Sequence, residues 1–265
     1  MPSGIYTRTK FHREISSQSI KKRYKNGEKI GFQIGHKRVR TLESYQNLKY
    51  RKKMSKISCK YSINNNFFSV YTPESCYWAG FIAADGNIYK NVLTIAISQK
   101  DQFHIKNFLN TIQSNHPIYE DSCKRFGGKL SKIQIGNIKI KNDILDNFNI
   151  VERKSLILQY PIKMPRKFDK YFIRGYFDGD GSLAHKRKIN GQLKNELRFI
   201  LASGSLFFLQ TIQNILIQKC RLRKTKIMKR KNGHCYVLEY SGNLQVLRIM
   251  NFLNIPFALK RKSIK

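Results

Sequence analysis

From about residue 74 the apolar positions of this chain switch between a spacing of three or four and a spacing of two, and they repeat that cycle. The first spacing marks one face of a helix, and strict alternation marks a half-buried strand. The first cycle predicts a helix over 74–85 and a hairpin over 87–99 that ends in LTIAISQ. A helix from Asp101 to about Ser114 follows, with Phe103 and Phe108 among its apolar positions, then a hairpin closed by Gly127-Gly128 and a helix over 137–147. The second cycle predicts a helix over 169–180 and a longer hairpin ending in RFILAS at 198–203. Next come a helix from Ser205 to about Gln218, a hairpin turning at Asn232-Gly233 and a helix over 243–252. Asn-Gly between alternating runs is a type I′ turn signal. Both cycles leave through similar segments, NFNIVERKS at 147–155 and FLNIPFALKRKS at 252–263. The pattern reads as a duplicated αββαββα unit.

The two leading helices carry matched motifs, WAGFIAADG at 78–86 and IRGYFDGDG at 173–181. Each places small residues four apart, Gly80 with Ala84 and Gly175 with Gly179, and each ends in Asp-Gly. Positions i and i+4 share a helix face, so two such helices can meet backbone to backbone. Packed together, they would carry Asp85 and Asp180 to neighbouring points. Two carboxylates held close, in a chain with few carboxylates, is a metal-site geometry.

Charge narrows the partners. The 265 residues hold 51 Lys and Arg against 16 Asp and Glu, a formal net charge of +35. Such an imbalance repels itself and is usually kept for a polyanion whose counterions it releases. No apolar run approaches membrane-spanning length, and there is no amphipathic basic helix or lipidation motif, so a membrane partner is not expected. The five cysteines form no C-x-x-C pair and read as reduced thiols. With no apolar signal-peptide core, the expectation is an intracellular protein. Abundant Lys, Ile, Asn and Phe suggest an AT-rich genome, which makes mitochondrion and chloroplast candidate compartments. Residues 1–60 hold 17 Lys and Arg, three acidic residues and few apolar ones. They read as a basic extension with a short helix near 11–25, an accessory DNA-binding segment or a basic arm. The stretch 61–73 reads as a linker, and Pro161 and Pro165 mark the connection between halves at 74–160 and 165–265.

The paired motifs resemble the LAGLIDADG homing endonuclease family, in its single-chain form with two motifs. The resemblance covers about residues 74–265. It implies an α+β fold of two pseudo-symmetric αββαββα halves, with saddle-shaped antiparallel sheets and the motif helices packed at the interface. It implies site-specific cleavage of double-stranded DNA by an intron-encoded monomer, with Asp85 and Asp180 as metal ligands for Mg²⁺ or another divalent cation such as Mn²⁺. Gln99, and by register Ser203, would stand near the attacking water, and Lys154 and Lys262 near the scissile phosphate. The first motif has Ala83 where the second has Asp178, so Asp178 is expected to be a local hydrogen-bond or salt-bridge partner and not a ligand. Arg174 stands where a small residue is common, which bears on how tightly the helices meet.

Base and phosphate contacts are expected on the hairpins, because a two-stranded ribbon fits the major groove. Candidates are Lys124, Arg125, Lys129, Lys132 and Gln134 in the first half, and Arg223, Lys224, Lys226, Lys229, Arg230, Lys231 and Tyr236 on strands near 221–240 in the second. Neither alternating face is cleanly apolar, so the sequence leaves open which meets DNA. Two other readings fit the same scaffold: an RNA maturase acting on intron RNA, and a catalytically inactive DNA-binding regulator. Gly4-Ile5-Tyr6 lacks the second half of a GIY-YIG motif, and the ends lack the residues of an intein.

Overall fold

The structure is a computed structural model. It describes residues 60–264 apart from 124–127, 186, 190, 191, 231 and 232, together with isolated positions between 14 and 26. The chain divides into two compact units, Met1–Lys60 and Tyr61–Lys265. In the first unit the described positions Glu14, Gln18, Ser19, Lys21, Lys22 and Lys25 are helical. The rest of the expected basic extension lies outside the described residues.

The second unit opens with α1 (Pro73–Asp85). Thr72 and Ser75 exchange side-chain and backbone hydrogen bonds as a capping box, and Pro73 takes the first turn, where no N–H is needed. Strands β1 (Gly86–Tyr89) and β2 (Val92–Ser98) follow, then a 3₁₀ turn (Gln99–Asp101) and α2 (Gln102–Thr111). The half closes with β3 (Tyr119–Cys123), β4 (Gly128–Gly136) and α3 (Ile138–Phe148), whose N-cap is Asn137. The second half begins with α4 (Asp169–Asp180) and β5 (Gly181–Ala184). Its longer hairpin contains a separate ribbon, β6 (Arg187–Ile189) with β7 (Gln192–Lys194), before β8 (Arg198–Ser203). Helix α5 (Leu206–Cys220), β9 (Met228–Lys229), β10 (Tyr236–Ser241) and α6 (Asn243–Phe252) complete it.

Each half builds one four-stranded antiparallel sheet, in the order β1-β2-β4-β3 and β5-β8-β10-β9. The α+β architecture is therefore the one the duplicated pattern implies. Alternation along the central strands tells the faces apart. In β4, Ser131, Ile133 and Ile135 are buried while Lys132 and Gln134 are not, and in β8 Phe199, Leu201 and Ser203 are buried while Arg198, Ile200 and Ala202 are partly open. The buried faces join one core with both motif helices, where Phe177 stacks on Phe199 at 4.7 Å and Tyr176 packs on Phe208. The other face of each sheet is left to solvent.

Residues 61–72 are more than a linker. Phe68 is fully buried and meets Phe148 edge to face, Asn64 donates its N–H to the Ile112 carbonyl, and Ser69 donates to Asp143. An aromatic pair at 67–68 has apolar area to bury, and the first half supplies the groove. Among the described residues no helix is long and apolar enough to cross a membrane.

Candidate active site

Helices α1 and α4 touch along their small-residue faces. A methyl group on Gly80 would overlap the Phe172 carbonyl, and one on Gly175 would overlap the Tyr77 carbonyl. Residues 172 and 175 stand 95 positions after 77 and 80, so the two contacts exchange under a two-fold rotation. The neighbouring amides repeat the relation, Tyr176 N–H against Gly80 and Phe81 N–H against Gly175. Gly179 faces Ala84, again 95 positions apart, which places this pair at the pseudo-axis. Arg174 does not hold the helices apart, because its side chain turns along α4 toward the C-terminal segment.

The last residue of each helix is an aspartate. A methyl on Gly179 would lie 3.1 Å from Asp85 Oδ2, so the Asp85 carboxylate rests against the residue just before Asp180. Burial and the neighbouring Asp180 push Asp85 up to about 6, opposed by Lys262, Lys154 and Arg261. Asp180 lies open at the rim, but the surrounding protein still raises it, while Lys154, Lys262 and the Tyr176 hydroxyl favour its charge. Two carboxylates and two ammonium groups thus share one electrostatic neighbourhood. A cleft of ≈ 280 Å³ opens beside Asp85, lined also by Ser98, Asp101, His104, Asp178 and Arg261.

The two lysines of the exit segments are nearly buried, Lys154 at 9% and Lys262 at 7% exposure. Each ammonium caps the motif helix of its own half. Lys154 Nζ donates to the Gly86 carbonyl, with Ala84 O at 3.5 Å. Lys262 Nζ lies 3.1 Å from Phe177 O, 2.7 Å from Asp178 O, 2.8 Å from Gly179 O and 2.7 Å from Gly181 O. The last carbonyls of a helix have no partners of their own and carry partial negative charge, so a cation there satisfies both needs. Burial, with Arg261 adding to it, pushes Lys262 down to about 8, and burial lowers Lys154 also. Sequence reasoning gave these lysines a phosphate to contact; in the structure their ammonium groups donate to the backbone beside the carboxylates.

Gln99 is half-buried in the 3₁₀ turn after β2, and its Nε2 donates to Glu120 Oε1 on β3 at 2.9 Å. Glu120, whose carboxylate only accepts, fixes the amide with its own carbonyl oxygen directed elsewhere. Ser203 is buried, and its Oγ accepts from the Ser205 N–H. It adjoins Tyr176, whose hydroxyl donates to Ala202 O at 2.8 Å.

Asp178 has the local role expected of it. Its Oδ1 pairs with Arg174 Nε at 3.0 Å, and its Oδ2 accepts from the Tyr77 hydroxyl at 2.7 Å and the Leu259 N–H at 2.8 Å. His104 Nε2 lies 3.0 Å from the same Tyr77 oxygen. Since that hydroxyl gives its proton to Asp178, the histidine donates; burial pushes it down to about 4, so it stays neutral. Arg261 reaches from the second half to Asp101 in the first, with Nε on Oδ1 at 2.9 Å and Nη2 on Oδ2 at 2.7 Å. Sequence reasoning expected a local partner for Asp178 without naming it, and the Tyr77–His104 and Arg261–Asp101 contacts were not legible there.

Of the nucleic-acid candidates, Lys129, Lys132 and Gln134 lie on β4, with Lys132 and Gln134 on its open face. Arg223, Lys224, Lys226, Lys229 and Arg230 are exposed, and Tyr236 is half-buried on β10. Arg223, Lys224 and Lys226 lie in the loop after α5, and Arg230 just past β9, so none of the four is on the strand expected of it. Only Met228 and Lys229 find ladder partners, Val237 and Tyr236 of β10. Lys124, Arg125 and Lys231 lie outside the described residues. Sequence reasoning missed Arg198, which projects from the open face of β8 into a fork with Glu239 of β10. In RFILAS its neighbours on that face, Ile200 and Ala202, are apolar, so the alternation hid it.

No family model matches the chain. No curated protein matches it either. Among solved structures it is similar to meganuclease I-SmaMI bound to uncleavable DNA, at 14% identity over 68% of this chain and 85% of that chain, with a TM-score of 0.48. It is similar to the LAGLIDADG meganuclease I-AabMI bound to uncleaved DNA, at 13% identity over 69% and 83% of the two chains, with a TM-score of 0.45. It is also similar to the N-terminal LAGLIDADG domain of DUF199/WhiA, at 12% identity over 73% and 88%, with a TM-score of 0.45.

Proposed function

We propose that this chain is a site-specific DNA endonuclease of the LAGLIDADG type, acting as a monomer with two pseudo-symmetric halves. It hydrolyses one phosphodiester bond in each strand of a long duplex target, with a divalent metal at Asp85 and Asp180. The single observation that carries the reading is the reciprocal packing of Gly80 on Phe172 and Gly175 on Tyr77, which ends the two helices in adjacent carboxylates. The motif resemblance and the net charge of +35 support it.

The donor set suits a hard cation. Both carboxylates offer only oxygen, and Asp180 raises the cost of ionising Asp85, a cost that a divalent cation held by these residues would lower. Among the described residues no group of three or more His, Cys, Asp and Glu gathers that could hold a metal ion, so the two aspartates alone would be the carboxylate ligands. Mg²⁺ or Mn²⁺, which keep several waters, need few protein ligands. Such an ion, when bound, supplies a hydroxide-like water and a Lewis acid at the leaving oxygen.

The protein's part is positional. Lys154 and Lys262 hold the helix ends that bear the carboxylates, and their charge favours the ionised form of both carboxyls against the burial that opposes it. The fixed Gln99 amide leaves a carbonyl acceptor for a water at the first site. Being one chain with two unlike halves, the enzyme needs no palindromic target.

Incubation with a randomised duplex library and Mg²⁺, followed by sequencing of cut ends, tests the reading. One cut sequence is expected, with cleavage lost in Asp85→Asn and Asp180→Asn. Cleavage surviving both substitutions would show the carboxylates are not the site.

A further inference from the structure

Arg198 stands on the solvent face of β8, in phase with Ile200 and Ala202, while Phe199, Leu201 and Ser203 face the core. On β10 its in-register partner is Ser241, and Glu239 lies diagonally, opposite Ile200. Across that diagonal Arg198 Nε donates to Glu239 Oε1 and Nη2 to Oε2, each at 2.7 Å. A diagonal cross-strand pair is within reach of long side chains, and a bidentate fork orients both groups.

This pairing is side-on. Glu239 takes the Nε proton and one Nη2 proton, so the end-on edge, formed by Nη1 and the second Nη2 proton, is not spent on it. The guanidinium is therefore held in one plane with two parallel donors available on a face that the helices leave bare. The pair adds no net charge, so it contributes little to attracting phosphate. In a chain this basic, the exposed Arg223, Lys224, Lys226, Lys229 and Arg230 can serve the backbone. An oriented, neutralised arginine serves recognition instead.

We infer that Arg198, held by Glu239, reads a guanine in the major groove of the half-site bound by the second half. Two parallel donors match guanine O6 and N7; adenine presents a donor beside N7, thymine a methyl beside one acceptor, and cytosine a donor. The matched position in the first sheet, paired with Tyr89 as Arg198 is with Ala184, is Val92, which cannot make this fork, so the preference belongs to one half-site only. The inference rests on the endonuclease reading and deepens it by naming a base and the residue that reads it.

Selection of bound duplexes from a randomised library, with the full chain and without Mg²⁺, tests it position by position. The parent protein should enrich guanine at a position in one half-site. Arg198→Ala should reduce that preference on the order of ten-fold or more and leave other positions unchanged. Arg198→Lys keeps the charge without the fixed fork, should keep overall affinity, and should weaken the guanine preference less than Arg198→Ala does. Glu239→Gln should weaken the same position alone, which a pair serving only strand stability would not do. If both Arg198 variants select the parent sequence, or weaken every position equally, the assignment is wrong while the endonuclease reading stands. If the parent itself enriches no sequence, both fall together.

Discussion

The two exit segments share a lysine on equivalent helix-end carbonyls and differ in how the segment around it is anchored. Lys262 sits among four carbonyls, and its segment is anchored by Asp178 on the Leu259 N–H, by Arg174 on the Leu259 and Lys262 carbonyls, and by Arg261 on Asp101. Lys154 meets two carbonyls, and Ala83 stands where the second motif has Asp178, so α1 has no carboxylate at that position to anchor its exit segment. Duplication left the capping lysine in both halves and the anchoring network in one. Capping the motif helix is therefore the shared need, and the carboxylate anchor belongs to the second half, where the exit segment also bridges to the first.

The comparison can be broken at its strongest point by Asp178→Ala. It strands a fully buried Arg174 and leaves the Tyr77 hydroxyl and Leu259 N–H without their acceptor, so unfolding in urea should show a loss of about 3–5 kcal/mol. A loss under about 1 kcal/mol would mean that the anchor is ornamental and the halves equivalent. Lys262→Met against Lys154→Met sharpens it. Charge-assisted bonds to carbonyls contribute about 1.5–3 kcal/mol, and the lysine with more acceptors should lie at the upper end. Equal losses would contradict the asymmetry.

The smallest effect concerns the carboxylates. Asp85 is raised in the folded chain to about 6, so the folded state binds its proton more tightly than the unfolded chain does. Stability of the metal-free protein should then fall as pH rises through the interval from the ordinary carboxylate value to about 6, and remain lower above it. Asp85→Asn should reduce that dependence, the raised Asp180 and Asp178 keeping a share of it, and raise stability at pH 7 by about 1–2 kcal/mol, partial exposure trimming the full value of the shift. Metal-dependent cleavage should run the other way in the parent, rising through pH 6 as Asp85 ionises. Melting curves and single-turnover rates at pH 5 and 7 give both.

The site was readable where the chemistry was repeated. Gly80, Ala84, Asp85 and their partners 95 positions on predicted the interface and the carboxylate pair, because helical spacing alone puts small residues on one face and an aspartate at its end. Ser203, set in register with Gln99, proved buried beside Tyr176, and Arg223, Lys224 and Lys226 left the strands expected of them. Their positions depend on which backbone groups find ladder partners, and nothing local records that.

By itself the amino-acid sequence determined the duplicated order of helices and strands, the matched small-residue faces and the terminal aspartates. Each of these follows from spacing within a dozen residues. Only the tertiary structure decided that Lys154 and Lys262 cap helices, that Asp178 serves Arg174, Tyr77 and Leu259, that Phe68 fills the first half, and that Arg198 leans on Glu239. These contacts join residues far apart in the chain, and a charge or ring carries no mark of its partner until burial makes an unpaired one too costly to keep.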